Sequence, residues 1–120
     1  MAQHYLCKGS ELAEGCARGF DPRGDGADTI FVVRKDGRLH AYRDACPHYG
    51  DTPLAWRKDA YLDAAATRIV CSAHGAQFAI DTGICTLGPC LGQGLTLVPL
   101  ALTAPDDIYA VLEETQEGTS

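Results

Sequence analysis

Residues 30–43 read IFVVRKDGRLHAYR, in which two runs of β-branched and aromatic residues flank the dipeptide Asp36-Gly37. An Asp-Gly pair between two such runs is a strong signal for a tight hairpin, because both central positions of the favoured turn need positive φ. We therefore predict a β-hairpin with strands at Ile30–Arg34 and Arg38–Arg43.

Short strand signals lie on both sides of this hairpin, and each is bounded by Gly, Pro, Asp or Ser. They fall at Tyr5–Cys7, Ala60–Leu62, Arg68–Val70, Gln77–Ile80, Thr96–Val98 and Ile108–Leu112. Helical periodicity is nearly absent. Glu11–Cys16 could form one turn behind Ser10 as its cap, which Gly15 and Gly19 would end quickly. The pattern predicts an all-β fold of antiparallel strands, either a sandwich or a small barrel.

The composition fits one small globular domain. The chain has 120 residues, of which 46% are apolar and 22% charged, and this length leaves no room for a second core. Thirteen glycines and six prolines indicate many turns rather than long helices. The polar stretch Glu113–Ser120 is predicted to be a disordered C-terminal tail, so the domain is expected to span residues 1–112.

The charge and the apolar runs limit the partners and the compartment. Ten Lys and Arg against sixteen Asp and Glu give a net charge of −6, which disfavours nucleic acid and anionic lipid. Met1–Lys8 lacks the basic and apolar regions of a signal peptide. The most apolar later stretch, Leu95–Leu102, contains Pro99 and is far shorter than the ~20 residues that cross a bilayer. We expect a soluble cytoplasmic protein that binds neither nucleic acid nor membrane.

Two segments combine cysteine with histidine. The first Cys/His segment (Cys46–Gly50) reads CPHYG and follows the hairpin, and the second (Cys71–Gly75) reads CSAHG and follows a predicted strand. Each offers one thiolate and one imidazole in a turn bent by Gly or Pro, and 22 residues separate His48 from Cys71. In a reducing compartment such cysteines bind metal, react or pack more often than they form disulfides. Two facing loops of this kind could enclose one metal site.

The four donors allow either zinc or an iron–sulfur cluster. Zinc ribbons usually pair Cys with Cys on one knuckle. A mixed pair on each of two loops is instead how one iron of a [2Fe–2S] cluster receives two thiolates and the other receives two imidazoles. Cys7 and Cys16 have no histidine at ligand spacing and are expected to be core or surface thiols. Cys85 and Cys90 could form a small disulfide or supply redox-active thiols beside the site, but we expect packed or simply neighbouring thiols.

The segments CPHYGDTPL (46–54) and CSAHGAQFAIDTG (71–83) resemble the Rieske ferredoxins and Rieske domains. The resemblance implies that Cys46 and Cys71 bind the inner iron of one [2Fe–2S] cluster per chain, and that His48 and His74 bind the outer iron. It also implies three stacked antiparallel sheets with both ligand loops at one tip. Gly88–Gly92 is similar to the proline-containing loop that covers the cluster in that family.

Three features of this sequence differ from patterns found in the Rieske family or in its high-potential members. The gap of 22 residues is longer than usual in the family, which suggests a lengthened hairpin between the two segments. Neither segment carries the extra cysteine of the respiratory, high-potential Rieske proteins, which argues against that subgroup. Ala76 stands where high-potential members have a serine, so the resemblance implies a reduction potential at the low end of the Rieske range.

The resemblance implies a soluble one-electron carrier that passes electrons from a flavin-dependent reductase to a terminal oxygenase or similar redox enzyme. We expect no enzymatic activity of its own, because the chain is too short for a mononuclear-iron domain and shows no acid–base pair or activated nucleophile. Two alternatives stay open. The chain could be an accessory electron-transfer subunit dedicated to one larger oxidoreductase, or a structural zinc-binding domain.

Overall fold

A computed structural model describes residues 2–24, 26–45, 54, 58–71, 75–88, 91–103 and 105–112. A single-turn 3-10 helix at Gly9–Glu11 is the one helix within these ranges. The strands in the same ranges are β1 (Ala2–Lys8), β2 (Cys16–Phe20), β3 (Ile30–Lys35), β4 (Arg38–Arg43), β5 (Arg68–Cys71), β6 (Ala76–Ala79), β7 (Cys85–Leu87), β8 (Leu100–Thr103) and β9 (Asp107–Leu112). No helix among the described residues is long and apolar enough to cross a membrane.

The strands form three small antiparallel sheets with the orders β1-β9-β8, β2-β3-β4 and β5-β6-β7. This confirms the predicted all-β stack. The predicted tail, 113–120, lies outside the described residues, so the domain boundary at residue 112 stays a prediction.

The predicted hairpin is present as β3 and β4, paired from Ile30↔Arg43 to Lys35↔Arg38. Asp36 and Gly37 form its turn with φ values of 54° and 76°, the left-handed region that an Asp-Gly pair tolerates. The backbone N–H groups of both residues donate to the carboxylate of Glu14. The local sequence signal and a tertiary contact therefore favour the same turn.

β3 is buried on both faces because its sheet lies between the other two. Phe31 and Val33 belong to an apolar cluster shared with the β5-β6-β7 sheet, which we call the site-side core. Ile30 and Val32 belong to a second cluster shared with the β1-β9-β8 sheet. Since successive side chains of a strand point to opposite faces, one continuous apolar run supplies both cores.

Several weaker predictions are confirmed, with shifted ends: Tyr5–Cys7 lies in β1, Arg68–Val70 in β5, Gln77–Ile80 overlaps β6, and Ile108–Leu112 lies in β9. The predicted strands Ala60–Leu62 and Thr96–Val98 are reduced to single bridges, Leu62↔Ile69 and Tyr42↔Leu97. The short hairpin at 61–70 nevertheless continues β5, since Val70 N–H donates to the Tyr61 carbonyl at 2.8 Å and Asp63 N–H to that of Arg68.

The prediction of a helical turn at Glu11–Cys16 was wrong. The helical turn ends at Glu11, and Cys16 begins β2. Tertiary hydrogen bonds fix the earlier position: Gly9 N–H donates to the Asp106 carbonyl at 2.7 Å, and the Arg34 guanidinium donates to the carbonyls of Gly9 and Leu12. A distant arginine therefore decides where this turn lies.

Candidate metal centre

The second Cys/His segment begins inside the fold. Cys71 is the last residue of β5, has 0% exposed surface and pairs with Ala76, the first residue of β6. Gly75, with φ of 71°, donates its N–H to the Cys71 carbonyl at 2.8 Å and so closes the connection at its base. His74 lies outside the described residues. The prediction of a strand directly before this segment is confirmed, and the strand includes Cys71, one residue beyond its predicted end.

Both ligands of the first Cys/His segment, Cys46 and His48, lie outside the described residues. The residues that bracket the segment are described. Asp44 accepts the N–H of Leu54 on Oδ1 at 2.8 Å, which closes the intervening chain at its base. The two segments are therefore each closed by a hydrogen bond between their flanking residues.

Residues next to both segments belong to the same apolar cluster. Leu54, which follows the first segment, and Cys71 and Ala76, which bracket the second, are all fully buried members of the site-side core. The structure thus brings together Leu54, which follows the first segment, with Cys71 and Ala76 of the β5–β6 connection. The ligand set itself stays a prediction, because Cys71 is its one described member.

A third segment packs against this base. Gly88 follows β7 with φ of 113°, and a Cβ built on it would lie 2.8 Å from the Cα of Ala76. Leu91 N–H donates to the Gly88 carbonyl, and Gly92 N–H donates to the Cys85 carbonyl. The predicted covering segment, Gly88–Gly92, is therefore anchored beside the exit of the second Cys/His segment; its Pro89 and Cys90 lie outside the described residues.

Leu87, the last residue of β7, and Leu91 of the covering segment are exposed, and we call these two residues the apolar rim. These side chains are 57% and 67% exposed. Both leucines belong to a stretch of sequence, residues 82–105, that contains no Asp, Glu, Lys, Arg or His. Exposed leucines that have no charged neighbours along the chain favour contact with another protein over contact with water.

A carboxylate and a phenol lie at the base of the first segment. Asp44 accepts the O–H of Tyr61 on Oδ2 at 2.8 Å. Burial raises the pKa of Asp44, and the hydrogen bonds from Leu54 and Tyr61 oppose that rise. Burial, followed by the negative charge of Asp44, raises the pKa of Tyr61 far above its usual range, so its hydroxyl stays a donor.

The chain just before Tyr61 is tied to β2. Lys58 Nζ donates to the Gly19 carbonyl at 2.7 Å and to Asp28 Oδ2 at 2.8 Å, and Gly19 N–H donates to Asp59 Oδ1 at 2.8 Å. A Cβ on Gly19 would lie 2.5 Å from the Tyr61 hydroxyl. The close approach of the β2 backbone therefore needs glycine, and the contact locks the inter-ligand chain onto the central sheet.

The other described cysteines occupy different places. Cys85 is buried in the site-side core, Cys7 is buried in the second cluster, where burial raises its pKa, and Cys16 is exposed. No group of three or more His, Cys, Asp or Glu side chains within metal-binding reach occurs in the described part of the chain.

A groove of about 850 Å³ lies between β4 and β8. Its walls include Arg38, His40, Leu97 and Leu102, and it is lined by none of the residues that bracket the Cys/His segments. The groove is therefore separate from the candidate metal centre.

The described residues fit an iron–sulfur cluster. Cys71 offers a sulfur donor with no exposed surface, inside apolar packing, and burial of this kind is one of the protein's means of setting a cluster's potential. Ala76, which pairs with Cys71, has no side chain beyond Cβ, and Gly88, which packs against Ala76, has none at all. Two segments whose neighbouring residues lie in one core can supply ligands to one site.

Sequence reasoning missed Asp44, Tyr61 and the contact of Gly88 with Ala76. Their one signal in the sequence is the position of Asp44, two residues before Cys46. The partners of these residues are distant along the chain, so no local pattern could have identified them.

Comparison with known proteins agrees with this architecture. The family model of the Rieske [2Fe-2S] domain matches residues 2–105. The ferredoxin of carbazole 1,9a-dioxygenase from Nocardioides aromaticivorans IC177 superimposes with a TM-score of 0.67 at 22% identity, covering 92% of this chain and 98% of that one. The Sphingomonas yanoikuyae B1 ferredoxin gives 0.66 at 20% identity, covering 92% and 100%.

A third similar structure is a complex of reduced oxygenase and oxidised ferredoxin in carbazole 1,9a-dioxygenase, with a TM-score of 0.68 and 25% identity over 96% of this chain and 100% of that one. No match was found among curated proteins. The family match extends from β1 beyond β8 and includes both Cys/His segments. The chain therefore belongs to the Rieske [2Fe-2S] domain family, and its cofactor is one [2Fe–2S] cluster.

Proposed function

We propose that the protein is a cytoplasmic one-electron carrier whose cluster is held by Cys46, His48, Cys71 and His74. It receives electrons from a flavin-dependent reductase and delivers them to a terminal oxygenase, and it has no substrate site of its own. The observation that carries this proposal is the common base of the two Cys/His segments, where Leu54, Cys71 and Ala76 meet in one buried cluster.

The ligand roles are those that the resemblance to Rieske domains implies, and the burial of Cys71 supports its place on the inner side. Cys71 would supply a thiolate from within the core, and Cys46 would supply the second to the same iron. His48 and His74 would supply imidazoles to the other iron, farther from the core. When bound, the cluster supplies one-electron chemistry, since one of two ferric ions can be reduced.

The chain's own residues protect and orient this centre. Ala76 and Leu54 are fully buried, so they keep water from the thiolate side of the site. Gly88 holds the covering segment against Ala76 at a distance that no larger residue would permit. The protein thus fixes the ligands and limits the exposure of the site, and these properties suit a carrier.

The apolar rim of Leu87 and Leu91 supports a protein partner at the same end of the fold. The relatives that are described as ferredoxins of carbazole 1,9a-dioxygenase include complexes with an oxygenase. By analogy, we assign the partner as a terminal oxygenase that docks over the outer ligands and the rim. A short path through an imidazole would then connect the two redox centres.

The test combines metal analysis with coulometry on the anaerobically purified full chain. We expect two irons and two sulfides per chain and the reversible uptake of one electron. Cys71→Ser should abolish the cluster, whereas Cys85→Ser, which changes a buried cysteine of the same core, should retain it. Zinc without sulfide would overturn the proposal in favour of a structural zinc domain. Constant co-purification with one large enzyme would replace the shuttle with an accessory subunit.

A further inference from the structure

Asp44 joins three parts of the molecule at the entrance to the first Cys/His segment. Its Oδ1 accepts the N–H of Leu54 and its Oδ2 accepts the O–H of Tyr61, both at 2.8 Å. Its own N–H donates to the Thr29 carbonyl at 2.9 Å. The residue is therefore attached to Thr29 before β3, to Leu54 four residues after the first segment, and to Tyr61 farther along the chain between the two segments.

Tyr61 is a rigid partner for this carboxylate. Its side chain is 1% exposed and its ring stacks on Phe31 of β3, with the centroids 4.3 Å apart and the planes 9° from parallel. A residue held in this way has few rotamers, so its hydroxyl defines a fixed point for Asp44.

The same tyrosine is joined to the strand that ends on the second segment. Its carbonyl accepts the N–H of Val70 at 2.8 Å, and Val70 immediately precedes Cys71. A continuous path of hydrogen bonds and backbone therefore runs from Leu54 through Asp44 and Tyr61 to Cys71. The path connects the residues on either side of the first Cys/His segment, Asp44 and Leu54, to the start of the second.

We propose that Asp44 is a positioning residue that holds the first Cys/His segment in register with Cys71, so that ligands from both segments meet the cluster in one geometry. This inference rests on the proposed ligand set. A carboxylate suits the task because it accepts two hydrogen bonds in different directions, and bonds to an ionised acceptor are stronger than neutral ones. Outer-shell partners of this kind orient ligands without touching the metal.

Three variants of the holoprotein test the role. Asp44→Ala removes both acceptors, Tyr61→Phe removes one donor, and Asp44→Asn keeps an acceptor for Leu54 and a polar partner for Tyr61. The matched control is Asp63→Ala: Asp63 lies in the same inter-ligand chain and accepts hydrogen bonds from Thr67 and Arg68, but it closes only a local turn.

The readouts are the width of the electron paramagnetic resonance lines of the reduced protein and the rate of iron loss to a chelator. We expect Asp44→Ala to broaden the lines and to lose iron about tenfold faster than wild type, at the lower end of the effect of losing an outer-shell partner. Tyr61→Phe should shift both readouts in the same direction and by less. Asp44→Asn should restore both nearly to wild type, and Asp63→Ala should lower the melting temperature alone.

Tyr61→Phe removes only one hydroxyl and is expected to fold. If this variant keeps the wild-type line width and iron-loss rate, the inference is overturned, even where Asp44→Ala fails to accumulate. Wild-type line width and iron-loss rate in a folded Asp44→Ala would also overturn the inference. The inference would also be overturned if the control, Asp63→Ala, changed both readouts as much as Asp44→Ala does. These failures differ from failure of the proposed function, in which the wild type itself lacks a cluster with histidine ligands.

Discussion

Cys71 lies opposite Ala76 in the β5–β6 pair, and neither residue has exposed surface. The residue at position 76 therefore faces the immediate surroundings of a proposed thiolate ligand without contacting solvent. A methyl group there offers no hydrogen bond, so the sulfur environment receives none from this side chain. Hydrogen bonds to cluster sulfurs favour the reduced state, and their absence favours the oxidised state.

We predict that Ala76→Ser raises the reduction potential. A new hydroxyl that gains about 1 kcal/mol on reduction corresponds to roughly 40 mV for one electron. Protein-film voltammetry measures the shift, and Ala79→Ser, on the same strand but paired with Arg68 rather than a ligand, is the control. A potential that falls or stays constant in Ala76→Ser would contradict the prediction.

The wild-type potential should lie in the lower part of the range from about −150 to +300 mV and below about +100 mV.

We also predict that His74→Cys lowers the potential. The variant would have three thiolates and one imidazole, which leaves the oxidised site at a charge of −1 rather than neutral, so that adding an electron becomes harder. The substitution makes half of the change between the two ligand classes, which indicates a drop on the order of 200 mV, with partial assembly of the cluster. His40→Cys, which changes a half-buried histidine of β4, should leave the potential unchanged. An unchanged potential in the His74 variant would remove this residue from the ligand set.

Gly88→Ala should destabilise the covering segment. The residue has φ of 113°, and a Cβ would lie 2.8 Å from the backbone of Ala76, so the substitution adds both strain and overlap. Backbone strain alone costs about 1–3 kcal/mol. Urea unfolding should show a lower free energy of unfolding, and chelators should remove iron faster.

Gly92→Ala is the matched control for Gly88. Its φ of 86° imposes similar backbone strain, but no atom lies within 4 Å of the new Cβ. We expect a smaller loss of stability and wild-type iron retention. Equal effects of the two substitutions would show that the contact with Ala76 has no role of its own.

The β3–β4 turn should make stability depend on pH. Hydrogen bonds from the N–H groups of Gly37 and Asp36 hold the pKa of Glu14 below its ordinary value of 4.5. A carboxylate with a lowered pKa stabilises the fold fully above the unfolded pKa, and this contribution disappears as the pH falls through the folded pKa. Glu14→Gln should therefore reduce the free energy of unfolding at pH 7, and the difference from wild type should shrink below pH 4.5. A difference that stays constant with pH would contradict this account.

The features that the sequence could predict are those set by neighbours along the chain. Asp36-Gly37 specifies its turn through local backbone preference, and the hairpin is found where it was predicted. The strand predicted at Arg68–Val70 is present and extends one residue farther, to Cys71. The alternation in β3 also shows why one apolar run can serve two cores.

The features that escaped prediction depend on distant residues. β8 follows Pro99 within one apolar run, and its pairing with β9 decides where the strand begins. The position of the 3-10 turn depends on Arg34. Asp44 meets Tyr61, and Gly88 meets Ala76, only after the sheets have stacked. The spacing of residues along the sequence therefore predicts candidate ligands better than it predicts the residues that position those ligands.

The central claim is that two histidines and two cysteines bind one [2Fe–2S] cluster. Pulsed electron paramagnetic resonance of the reduced protein, grown with ¹⁴N- or ¹⁵N-labelled histidine, tests it most directly. The account predicts a rhombic signal with a low average g and couplings from two histidine nitrogens that change with the isotope. A signal without histidine nitrogen couplings, or a preparation without iron, would contradict it.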